Sequence, residues 1–83
     1  MKIIYTDYAD DTIRERDIDK EDIEETLINP DEIVEGKNAR KINHKIFKDK
    51  LLRVVYEIEE KTYIVITTYY TKPVRYMKNE NKF

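Results

Sequence analysis

Cysteine, serine, tryptophan and glutamine are absent from the 83-residue chain, and histidine and glycine occur once each. Without cysteine there can be no disulfide, thiolate metal site or cysteine nucleophile. Without serine there is no serine nucleophile, and one histidine cannot by itself build a histidine-rich zinc site. No apolar run approaches the roughly 20 residues that a membrane-spanning helix needs. The opening Met-Lys-Ile-Ile-Tyr has no long apolar stretch and no cleavage pattern, so a cytoplasmic protein without a signal peptide is expected. Phosphate-binding loops, dinucleotide fingerprints and zinc or calcium motifs are missing too, and no cofactor or metal is expected. A chain this short allows one domain and buries roughly 60% of its unfolded surface. Its core must be thin, and any site should lie on a surface or in a shallow groove.

Charge, by contrast, is abundant: 41% of residues are Asp, Glu, Lys or Arg. Such a Lys- and Glu-rich composition leans towards a thermophile, although an AT-rich genome gives the same bias. The charge is also sorted. Residues 1–36 carry 13 acidic against 4 basic side chains, net −9, whereas residues 37–83 carry 12 basic against 5 acidic, net +7. This asymmetry suits a polyanionic or charged partner; alternatively the two halves simply neutralise each other.

The pattern predicts an α+β domain over residues 1–76 with a polar tail at 77–83. Residues 2–6 read as a short strand. A helix follows from Thr6 or Asp7, with Ala9 and Ile13 on one face and Asp10 and Asp11 near the positive end of its dipole. A second helix has Asp19 as N-cap, an Ile18–Ile23 staple and a stop at Asn29-Pro30. Strands are expected at 31–35, 40–47, 51–59 and 62–71, with two-residue hairpin tips at Lys48-Asp49 and Glu60-Lys61. The expected architecture is two helices packed on a four-stranded antiparallel sheet, with the second sheet face partly open. With an unbroken register, His44 faces Arg53 and Arg53 faces Thr68. Lys45, Thr67 and Tyr69 then share one face, while Arg53 and Tyr70 share the other. A one-residue slip would exchange these sets.

Two groups of side chains could carry chemistry. Arg40, Lys45, Arg53 and Lys72 lie on or beside tyrosine-bearing strands. Cations hold phosphates and aromatic faces stack unpaired bases, although tyrosine is also ordinary strand material. His44 is the one side chain that titrates near neutral pH. Beside Arg53 it could serve as a base for a ribose 2′-hydroxyl; the plain alternative is a half-buried polar residue. The paired carboxylates of the helices read as solvated faces.

The segments Tyr5-Thr6-Asp7-Tyr8-Ala9, Arg16-Asp17-Ile18, Asn29-Pro30-Asp31-Glu32-Ile33, Leu52-Arg53-Val54-Val55-Tyr56 and Ile66-Thr67-Thr68-Tyr69-Tyr70-Thr71 resemble an uncharacterised small-domain family of bacteria and archaea. That family is similar to the RelE and BrnT ribonuclease toxins of toxin–antitoxin pairs. Arg16 matches the family's helix arginine, and Thr67 and Tyr69 match its Thr-x-Tyr, whereas Tyr8 stands where the family often has histidine. The resemblance implies a RelE-like fold and a metal-independent endoribonuclease, a hydrolase with RNA as substrate and a small antitoxin protein or a second copy as partner. The alternative is a non-catalytic RNA- or protein-binding module. Tyr8, His44, Arg53 and Tyr69 are the catalytic candidates; Arg16, Arg40, Lys45, Thr67 and Lys72 are the RNA-holding candidates. Lys45, Arg53, Tyr69 and Lys72 are expected to converge near Arg16.

Overall fold

The computed structural model describes residues 2–73. The chain runs β1 (Lys2–Tyr5), α1 (Asp7–Glu15), α2 (Lys20–Ile28), β2 (Glu32–Glu35), β3 (Lys41–Phe47), β4 (Lys50–Glu59) and β5 (Thr62–Thr71). The expected domain limit at residue 76 and the polar tail lie outside the described residues. The helix signals of the sequence hold. Thr6 caps α1, its side chain accepting from the Ala9 amide, and Asp19 caps α2 by accepting from the Glu21 amide.

The α+β class is as expected, but the sheet is larger. It has five strands in the order β1-β5-β4-β3-β2, and β1 runs parallel to β5. The four-stranded antiparallel sheet is therefore corrected to a five-stranded mixed one. Strands β2 to β5 form an antiparallel meander, and both predicted tips are two-residue loops. The tips contain no glycine, although Lys48, Glu60 and Lys61 all take positive φ. One face of the sheet carries the core: Ala9, Ile13, Ile18, Ile23 and Leu27 from the helical half pack on Leu52, Val54, Tyr56 and Val65.

The register contains one irregularity, which sets the facing of Thr67 and Tyr69. Tyr56 pairs with Val65 but Val55 pairs with Thr67, so Ile66 is an extra residue in β5. This is a β-bulge, and beyond it every β5 side chain exchanges faces relative to an unbroken ladder. Arg53 therefore pairs with Tyr69, not Thr68. Tyr70 turns to the helices and donates to Asp22 at 3.0 Å. Burial first, then that hydrogen bond and the charges of Asp22 and Asp19, push its phenol up to about 12.

Thr6 ties the bulge to the helix start. Its hydroxyl accepts from the Ala9 amide at 3.1 Å and donates to the Ile66 carbonyl at 3.1 Å, and its amide donates to the Val65 carbonyl. Thr6→Ala removes both side-chain bonds and is expected to cost about 1–2 kcal/mol. Thr6→Ser should restore most of it in a denaturant titration. Equal midpoints for all three proteins would mean that neither bond matters in solution.

Candidate functional site

Strand β1 pairs along β5 only as far as Tyr5 and Val65. Beyond that point no other strand among the described residues pairs with the β5 edge on that side, and α1 passes alongside. A groove of about 510 Å³ opens there, lined by Tyr8, Asp11, Thr12, Glu15 and Arg16 from the helix and Thr67 and Tyr69 from β5. The helix residues stand at i, i+3, i+4, i+7 and i+8, one stripe of an α-helix. Tyr8 is 67% exposed. Arg16 is the C-cap residue, its amide donating to the Thr12 carbonyl. As the C-cap residue it stands at the negative end of the helix dipole, where a cation is favoured. Asp11 is engaged by Arg14 at 2.6 Å on the helix surface. The groove thus offers one guanidinium, two phenols, two hydroxyls and two carboxylates.

Behind Tyr69, on the sheet face away from the helices, runs a row of polar side chains in register across four adjacent strands. Glu32 pairs with His44, His44 with Arg53 and Arg53 with Tyr69. His44 is fully buried. Its Nδ1 lies 2.9 Å from Glu32 Oε1, and Arg53 Nη1 lies 2.9 Å from its Nε2. The Arg53 guanidinium carbon sits 6.0 Å from the centre of the Tyr69 ring, within the range of cation–π attraction.

Burial, the largest influence, pulls the His44 pKa below its ordinary 6.5. Arg53 adds to that pull, while the hydrogen bond and charge of Glu32 oppose it. The unfolded chain therefore takes up a proton at a pH where folded His44 resists it. Folding stability is predicted to fall as pH drops below about 6.5 and, as far as His44 is concerned, to be flat above that value. Thermal midpoints recorded from about pH 7.5 down to about pH 5.5 check this, because no other histidine and no cysteine titrates in the window. His44→Gln should flatten the profile. A wild-type midpoint that holds or rises on acidification would contradict the burial of a neutral imidazole.

Of the sequence candidates, Tyr8, Arg16, Thr67 and Tyr69 meet in the groove, and Arg53 stands behind Tyr69. The others do not join them. Lys45 lies on the helix-bearing side of β3, its Nζ donating to the Asn29 carbonyl at 2.8 Å with Asp31 at 3.9 Å. Arg40 pairs with Glu57 at 3.1 Å. Lys72 is exposed just past β5 and is not among the groove residues. The expected convergence of Lys45 and Lys72 on Arg16 is therefore corrected. His44, the other proton-transfer candidate, is buried outside the groove lining, with its ring nitrogens bonded to Glu32 and Arg53. Sequence reasoning missed Asp11, Thr12 and Glu15, although their helical spacing from Tyr8 was readable. It also missed Glu32, whose place opposite His44 needed the β2–β3 register.

Among the described residues no group of three His, Cys, Asp or Glu side chains could hold a metal ion, and no helix is long and apolar enough to cross a membrane. No curated protein and no solved structure matches the chain. A domain-family profile does, over residues 5–70, a span that includes every groove residue and the whole polar row. The chain belongs to that family, described as a domain of unknown function (DUF4258).

Proposed function

We propose that the groove between α1 and β5 binds RNA and cleaves it, as a small endoribonuclease of the toxin type. One observation carries the reading: Tyr8, Arg16, Thr67 and Tyr69, drawn from distant parts of the chain, line one open groove. A strand of RNA presents a phosphate for Arg16 and unpaired bases for the phenol rings. Cleavage by the 2′-hydroxyl needs only groups of this kind. The Glu15 carboxylate takes the 2′-hydroxyl proton as O2′ bonds to phosphorus. The P–O5′ bond breaks, and the phenol of Tyr8 or Tyr69 protonates the leaving O5′. Arg16 holds the charge that builds on the phosphoryl oxygens. The products are a 2′,3′-cyclic phosphate and a 5′-hydroxyl. A small antitoxin protein covering the groove would be the partner of such an enzyme.

A second reading has its own observation. Asp11 and Glu15 place two carboxylates in the groove wall, and Tyr8 stands where the resemblance implies histidine. A non-catalytic binding module, holding RNA or a protein, tolerates both features. To separate the two, single-stranded RNA is incubated with the protein in EDTA, beside Arg16→Ala. Cyclic-phosphate ends from the wild type alone support the enzyme. Binding without new ends supports the module, and neither binding nor cleavage removes RNA from the account.

A further inference from the structure

We infer that Glu32 and His44 are positioning residues for this groove, holding Arg53 through a hydrogen-bond row of fixed direction against the Tyr69 ring that forms the groove wall. The inference rests on the proposed RNA site, but its geometry stands independently. The direction of the row follows from what each group can donate. A guanidinium has donors only, so Arg53 Nη1 must give its proton to His44 Nε2 at 2.9 Å. That nitrogen therefore carries a lone pair, and the proton of the neutral ring sits on Nδ1. From Nδ1 it points at the Glu32 carboxylate, 2.9 Å away. The carboxylate thus selects the tautomer, and the tautomer presents an acceptor to Arg53. The opposite tautomer would set a donor against a donor on one side and leave a lone pair facing a carboxylate on the other.

The far end of the row is what links it to the groove. Arg53 meets Tyr69 both as a cross-strand partner and as a cation beside its ring. Tyr69 is the row member that also lines the groove. Glu32 bonds to His44 and His44 to Arg53, so the row gives both residues a path to the groove wall. A purely structural network would lose only stability when cut, whereas a positioning row also moves the Tyr69 ring and the chemistry beside it.

The test uses the whole chain with 15N-labelled histidine. Wild-type protein near neutral pH is expected to show the Nδ1–H tautomer by imidazole nitrogen shifts; the Nε2–H tautomer would overturn the inference outright. Glu32→Ala should shift the Tyr69 ring resonances and lower kcat for RNA cleavage about tenfold or more, with KM changed less than about twofold. Glu32→Gln, which keeps an acceptor of the same length, should recover part of both and serves if the alanine variant does not fold. If Tyr69 and turnover are unmoved in folded Glu32 variants, the row is merely structural and the RNA site stands. If the wild type leaves RNA untouched, the proposed function fails, and the tautomer and Tyr69 shifts decide the row alone.

Discussion

Asn43→Ala is expected to lower the thermal midpoint by roughly 10–20 °C. Asn43 is 1% exposed in β3. Its Nδ2 donates to the Thr26 and Leu27 carbonyls at 3.1 and 3.4 Å, and its Oδ1 accepts from the Tyr56 hydroxyl at 2.9 Å. The two carbonyls belong to the last turn of α2, where the helix supplies them no amide partners. One side chain therefore closes the helix end, anchors the helix to the sheet and satisfies a phenol whose pKa burial already raises. Alanine leaves two carbonyls and the Tyr56 hydroxyl buried together without it. Stranded buried polar groups cost about 1–3 kcal/mol, and the cavity adds to that, so a total of about 3 kcal/mol is expected. Against a total stability on the order of 5–15 kcal/mol this is severe. Tyr56→Phe should cost about 1 kcal/mol, and the double variant less than the two singles summed, because they share a bond. A midpoint for Asn43→Ala within about 2 °C of wild type would mean that α2 is held by its apolar contacts alone.

What the sequence showed and what it hid divide along the range of the interactions. Thr6, Asp19, the Ile18–Ile23 staple and Asn29-Pro30 are local signals, and the helix limits follow them. The place of β1 beside β5 is a pairing of residues about 60 positions apart, and no local feature announces it. The bulge is hidden for the same reason. Ile66-Thr67-Thr68 is an unbroken β-branched run with no glycine to mark the extra residue, and its companion Thr6 is equally distant in sequence. Missing the bulge reversed Tyr69 and Tyr70, which share a residue type and differ only in facing.

The groove lining is partly legible in the sequence. Tyr8, Arg16, Thr67 and Tyr69 stand at the positions of the family pattern or its departure, and all four line the groove. Lys45 stands out by its charge alone, yet it lies near the end of α2 and its ammonium donates to the Asn29 carbonyl there. The sorted charge has a similar lesson. Lys41–Glu35 and Lys45–Asp31 join the two halves of the chain along the β2–β3 seam. Part of the asymmetry is thus consumed inside the molecule, and Arg16, from the acidic half, is the cation that the groove presents.

That position makes Arg16→Ala the prediction with the largest expected effect on function. RNA turnover should fall about 100-fold or more, since removing one preorganised donor to the developing charge typically costs that much. Stability should barely change. Arg16 is exposed, and the bond that caps α1 comes from its backbone amide, which alanine retains. Arg16→Lys should recover binding more than turnover, because an ammonium restores charge without the planar fork that meets two phosphoryl oxygens at once. Asp11 and Glu15 sharpen the expectation: with two carboxylates in the same wall, the groove has little attraction for a polyanion once Arg16 is gone. Glu15→Gln separates the two roles of that wall. If Glu15 is the base, the variant binds RNA at least as tightly as wild type and cuts it slowly. If Glu15 only repels, the variant both binds and cuts better. Should Arg16→Ala cut RNA as fast as wild type, the phosphate does not bind at α1, and the α1–β5 groove is not the site of the reaction.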